Sequence, residues 1–127
     1  MSVRNLSRIQ PPRLSWEKIK NKILSSRYSL SLVFLSRKRM AELNRKYRKK
    51  SGPTNILAFP LEKFSGEIFI DLSVAGKEAK ERGVSFRKYV LYLFVHALLH
   101  LKGLRHHTKR ARAHMEQLEQ KWLNILP

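Results

Sequence analysis

The sequence predicts one domain in which short strands and helices are packed around a single buried helix. Three observations carry that prediction. Residues 86–102 are apolar nearly all round, which marks a helix at the centre of a molecule. Three apolar runs, 28–35, 54–59 and 66–71, are bounded by turn-forming residues and read as strands. The helical segments between them carry N-cap residues at their starts. At 127 residues the chain is large enough for one real core, and it has no internal repeat, low-complexity tract or domain boundary. Residues 1–127 are therefore one domain.

Residues 1–14 form an extended segment with Pro11 and Pro12 and little periodicity. Ser15 caps a first helix that puts Trp16, Ile19, Ile23 and Leu24 on one face. The strand 28–35 follows, and Ser36 caps a second helix. Its apolar side is Met40, Leu43 and Tyr47, with Glu42 and Lys46 as an i,i+4 pair. That helix runs into Arg45-Lys46-Tyr47-Arg48-Lys49-Lys50 and a turn at Ser51-Gly52-Pro53. Pro60 stops the next strand, and residues 63–66 connect it to the third as a hairpin. Ser73 opens a short helix to about Arg82, ended by Gly83. Ser85 caps the long apolar helix. Thr108 caps a last helix whose stripe of Ala111, Met115, Leu118, Trp122 and Ile125 packs on the core.

The long helix carries the chemistry. His96 and His100 are four residues apart, so both imidazoles aim from one face, which the apolar surroundings place deep in the fold. Gly103 lets the backbone leave the helix, and the turn can return His106 to the same point. Three neutral imidazoles with an open fourth position describe a catalytic zinc-type site. The spacing H-x3-H-x5-H is that of the metal hydrolases with H-E-x-x-H-x-x-G-x-x-H. Their general-base glutamate would stand at position 97, where this chain has Ala97, so ordinary proteolysis is not expected. His107 and His114 are non-ligands by default, with His114 an alternative third ligand.

The charge points to the partner. There are 27 Lys and Arg against 9 Asp and Glu, a net +18, and residues 1–61 alone hold +13. Such a field favours a polyanion, and nucleic acid is the leading class. An anionic membrane would need a basic amphipathic helix with a bulky apolar face. No segment reaches the ~20 apolar residues of a membrane span, so no membrane partner is expected. Without cysteine there is neither disulfide nor thiolate metal site, and the cytoplasm is the default compartment. Arg45, Lys46, Lys49 and Lys50, at the edge of a turn, are well placed for phosphates, although a basic run is also an ordinary solvated face.

These segments together resemble one family, the YbeY-type endoribonucleases. Its metal motif H-G-x-L-H-L-x-G-Y-D-H is similar to the run from His96 to His106. Its N-x-x-Y-R is similar to Asn44-Arg45-Lys46-Tyr47-Arg48, and its T-D-V-L-S-F-P to Thr54-Asn55-Ile56-Leu57-Ala58-Phe59-Pro60. Gly66-Glu67-Ile68 matches its G-D-I strand, and Ala79 fits the next helix. The resemblance runs in unbroken order from about Leu30 to His106. It implies an α+β fold, a small mixed β-sheet covered by helices, with the metal helix beneath it. It implies that His96, His100 and His106 bind one metal ion, usually zinc, and that Arg48 is the basic residue needed for RNA cleavage. The implied role is a single-strand-specific endoribonuclease in maturation of the 16S rRNA 3′ end and in ribosome quality control. Its partners would be ribosomal RNA and the small ribosomal subunit.

This chain departs from the pattern at Ala97, at Leu104-Arg105 in place of Tyr-Asp, and at Asn55 and Ala58 in place of Asp and Ser. Ala97 for glycine is a small change that should be tolerated. Leu104-Arg105 removes a carboxylate and a hydroxyl near the metal, and Asn55 and Ala58 change two more polar groups. Metal-bound histidines normally need such acceptors behind them. The mechanism implied is attack on a phosphodiester by a hydroxide generated at the metal, with Arg48 pairing to the non-bridging oxygens; activation of the RNA 2′-hydroxyl is the alternative. Two other functions stay open: a non-catalytic ribosome-associated metal protein, and a metallopeptidase-like hydrolase.

Overall fold

The computed structural model of the chain describes residues 1–48, 54–103 and 108–126, with Arg48 and Ile125 described by their backbone only. These residues form strands β1 (Ser2–Asn5), β2 (Ser29–Leu35), β3 (Ile56–Glu62) and β4 (Ser65–Asp71). The helices are α1 (Trp16–Ile23), α2 (Arg37–Arg48), α3 (Leu72–Arg82), α4 (Phe86–Leu101) and α5 (Lys109–Ile125). The strands make one mixed sheet in the order β1-β2-β4-β3. β1, β2 and β4 run parallel, and β3 is antiparallel to β4.

β2 is buried on both faces, which is why its sequence is a nearly unbroken apolar run. Its inner face, Leu30, Leu32 and Phe34, joins Ile68 and Ile70 of β4 in the main core. α1, α3, α4 and α5 close over that face. Trp16 ties them to the sheet, its ring 5.7 Å from Phe34 and edge-on to Phe94 at 5.0 Å. On the outer face Val33, Leu35 and Leu57 pack with Met40 of α2 in a smaller core. α4 is the central helix, and nine of its residues are buried. No helix among the described residues is long and apolar enough to cross a membrane.

Most helix ends lie where the caps put them. The hydroxyls of Ser85 and Thr108 accept from the Lys88 and Ala111 amides at 3.1 and 3.0 Å. Ser36 accepts from the Arg39 amide at 3.4 Å. Gly83 closes α3 with φ +67, and Gly103 follows α4 with φ +104, conformations that glycine adopts without a Cβ penalty.

Four expectations are corrected. Within the N-terminal extended segment lies strand β1. All four of its residues are exposed, so no alternation betrays it, and backbone pairing to β2 holds it. β3 continues through Pro60 to Glu62. It is an edge strand, where a residue without an amide proton is tolerated, and the register shifts between Pro60 and Glu62. α3 is capped by Asp71 rather than Ser73. The Asp71 carboxylate accepts from the Ser73 and Val74 amides at 2.9 and 3.1 Å and from the Ser73 hydroxyl at 2.6 Å. Glu42 and Lys46 make no ion pair; Lys46 lies 5.2 Å over the Tyr47 ring instead, and an exposed pair is worth little. Ser15 holds the N-cap position of α1 without a side-chain cap bond.

Gly66 of β4 is closely enclosed. A Cβ there would collide with the Tyr28 hydroxyl and come within 3.1 Å of the Phe59 carbonyl oxygen. Gly66→Ala should therefore destabilise the fold by about 1–3 kcal/mol, read as a lower urea midpoint at unchanged m-value. An unchanged midpoint would show that the strands relax at no cost.

Candidate metal centre

Most of the circumference of α4 is core, and one stripe opens along it, from the buried Tyr89 to the partly exposed Tyr92, His96 and His100. Tyr89, Tyr92, His96 and His100 follow at i, i+3, i+7 and i+11, along one side of the helix. Their rings form a row: Tyr89 to Tyr92 at 5.8 Å, Tyr92 to His96 at 6.1 Å and His96 to His100 at 5.4 Å between centroids. The two histidines are partly exposed, with 22% of the His96 side chain open, so this face is not as deep in the fold as the sequence suggests. Partial exposure suits a site that a substrate must reach. Ala97 points the other way, into the core at 2% exposure. Position 97 thus belongs to the core and not to the partly exposed stripe of the histidines.

The main addition to the predicted site comes from α5. Glu119 is 4% exposed and reaches His96, Nδ1 donating to Oε1 at 2.5 Å. A carboxylate accepts and does not donate. The pair therefore puts the proton on Nδ1 and leaves Nε2 as the nitrogen that a metal would take. Burying a carboxylate is costly unless it is paired, and His96 is its partner. The sequence did carry a signal for it. Glu119 lies one turn beyond Met115, which is 1% exposed, and so sits on the buried side of α5, where acids are rare.

Two further groups bear on the departures noted above. Asn55 Nδ2 donates to Glu78 Oε1 at 2.8 Å, so a carboxylate faces position 55 from α3 although position 55 itself carries an amide. Tyr92 brings a phenol beside His96. Burial pushes its pKa up, with Glu119 adding to the shift, and the ring stays protonated through the neutral range. Burial likewise raises the Tyr89 phenol, near Glu78, Arg82 and Asn55.

Not all of the predicted site is described. His106, with Leu104 and Arg105, lies outside the described residues, as do Lys49, Lys50 and the side chain of Arg48. Among the described residues no cluster of three metal-ligating side chains forms. Arg48 ends α2, whose Arg45 and Lys46 are exposed. His114 is exposed on α5. The donors that are described fit a divalent ion of zinc type: two imidazoles on one helix face, one of them oriented by a buried carboxylate.

The family model described as Endoribonuclease YbeY matches residues 9–127. A Chelativorans protein named Endoribonuclease YbeY is 37% identical over 107 residues, 77% of this chain and 66% of its own length. One from Carboxydothermus hydrogenoformans with the same name is 36% identical over 102 residues, 76% of this chain and 71% of its own. This chain thus spans about two thirds of the length of these curated relatives. A solution structure of a Thermotoga maritima protein aligns over 97% of this chain and 87% of its own, with a TM-score of 0.65 at 24% identity, a likeness of fold alone. This chain belongs to the YbeY endoribonuclease family.

Proposed function

We propose that the protein is a metal-dependent endoribonuclease that cleaves single-stranded ribosomal RNA. By resemblance its task is maturation of the 16S 3′ end and ribosome quality control, on the small ribosomal subunit in the cytoplasm. The observation that carries the reading is the His96–Glu119 pair behind two imidazoles on one helix face, in a chain of net charge +18. His96, His100 and His106 would hold the ion, zinc by resemblance. When bound it supplies Lewis acidity and an acidified water without a side-chain base. Glu119 fixes the tautomer and direction of His96. Arg48 would meet the non-bridging phosphate oxygens with its planar, permanently charged fork as charge builds on them. Arg45, Lys46, Lys49 and Lys50 would add phosphate contacts.

If Arg48 acts on the transition state, Arg48→Ala should lower kcat by at least about 100-fold while metal content stays at the wild-type level. Normal turnover, or loss of the metal, would count against that role.

A second reading, a non-catalytic ribosome-associated metal protein, is favoured by Leu104-Arg105 in place of Tyr-Asp. A metallopeptidase is disfavoured by the core position of Ala97. One experiment separates the three. The metal-loaded protein is offered a labelled single-stranded rRNA fragment and, separately, a peptide library. RNA cleavage alone is expected. Peptide cleavage alone would sink the ribonuclease reading, and neither activity would favour the non-catalytic one.

A further inference from the structure

α2 lies across the outer face of the sheet against β4 and covers only part of it. The part nearer β1 is left as a groove of about 640 Å³. Its floor is apolar: Val33 and Phe69 are neighbours in register, and Leu35 lies beyond them. Arg4 stands in the same row, paired with Val33. Lys38, Arg39 and Lys46 rise from α2 on the other side.

These four cations are exposed, and none of them makes an ion pair among the described residues; the lining holds one acid, Glu42. Burial of the floor accounts for Val33, Leu35 and Phe69 but not for the positive charges around them, of which Lys46 lies over the Tyr47 ring. At one end Tyr47 is 57% exposed and leads a row of rings, 5.5 Å to Phe59 and 5.9 Å from there to Phe69. Phe59 belongs to β3, and β3 also packs against α4. The β3 edge thus connects the ring row at the end of the groove to α4, the helix that carries His96 and His100.

Cations around a ring-bearing apolar floor are the elements of single-stranded nucleic-acid binding: charges track phosphates, and rings stack bases whatever their sequence. The volume is that of a small-molecule site, suited to about one or two nucleotides of a single strand and too small for a duplex. We propose that this outer groove holds the single-stranded RNA segment that flanks the cleavage point, with Arg4, Lys38 and Arg39 on its phosphates and Tyr47 and Phe69 against its bases. The proposal rests on the ribonuclease reading for its biological meaning, and its binding test does not.

The test measures binding of labelled oligo(dT), which carries phosphates and ring faces and survives a ribonuclease, across a range of salt. The variant Arg4→Ala/Lys38→Ala/Arg39→Ala is compared with Lys77→Ala/Lys80→Ala/Lys121→Ala, which removes the same charge from exposed positions elsewhere. The groove variant should bind at least about tenfold more weakly, with the slope of log K on log salt reduced by about 2. The control slope should move by no more than about half a unit. Tyr47→Ala should weaken binding roughly tenfold at an unchanged slope, the mark of lost stacking.

Equal losses in the two triple variants, or none in the groove variant, would overturn the groove. So would a polyglutamate peptide that loses more affinity for the groove variant than oligo(dT) does, which would reassign the surface to an acidic protein. Thermal unfolding of each variant checks that the fold is intact. Failure of RNA cleavage with groove binding preserved would strike the ribonuclease reading alone; cleavage with unaltered binding by the groove variant would strike the groove alone.

Discussion

His100→Ala is expected to lose bound metal and RNA cleavage together. His100 and His96 lie on one face with ring centroids 5.4 Å apart, and in the proposed site the loss of one imidazole would leave too few donors to hold the ion. The loss in metal affinity should exceed the roughly 10–100-fold that removal of a mere supporting group costs. His100 is only half-buried at the end of α4, away from the Leu98 and Leu99 packing that anchors the helix, so the circular dichroism spectrum should stay that of the wild type. Full cleavage by this variant would mean that the activity has another source. Loss of cleavage with metal retained would mean that His100 acts on the substrate instead.

Glu119→Ala should weaken metal binding by about 10–100-fold, measured by competition with a chromophoric chelator. The cause is indirect, since Glu119 need not touch the ion. It accepts the hydrogen bond of His96 Nδ1–H at 2.5 Å, and without it the ring is free to turn or to carry the proton on the wrong nitrogen. Glu119→Gln is the informative partner. Its amide oxygen can accept the same bond, so it should recover most of the affinity that alanine loses. If alanine and glutamine variants both bind as the wild type does, Glu119 is a buried hydrogen-bond partner with no influence on the metal.

The difference between what could and could not be read from the sequence has a consistent physical basis. Elements announced by a local signal were legible. α4 has Ser85 before it and Gly103 after it, and its all-round apolar sequence leaves no other place for it than the core. The strand at 29–35 is buried on both sides and shows it in every residue but the first few. β1 was not legible, because an exposed edge strand is held by backbone bonds to which no side chain testifies. The cap of α3 went to Asp71 because β4 delivers that carboxylate to the helix start, which the spacing of Ser73 alone does not reveal.

The candidate site divides in the same way. His96 and His100 are four residues apart on one helix, a relation that periodicity contains. Glu119 is 23 residues further on and on another helix, and only the α4–α5 packing brings it to His96. The same holds for Glu78 opposite Asn55, also 23 residues apart. Position 55 looked like a lost carboxylate when the chain was read alone; the fold sets another one against it. What sequence could have offered in each case was an anomaly, such as an acid on the buried side of α5, without the partner that explains it.

The most direct measurement is a titration of metal-free protein with zinc while cleavage of a labelled single-stranded rRNA fragment is followed. Cleavage should rise in proportion to the metal bound, saturate at one ion per chain, and be absent at every zinc concentration in His100→Ala. Full cleavage by the metal-free protein, or none by protein shown to hold its ion, would contradict a metal-dependent ribonuclease centred on His96 and His100.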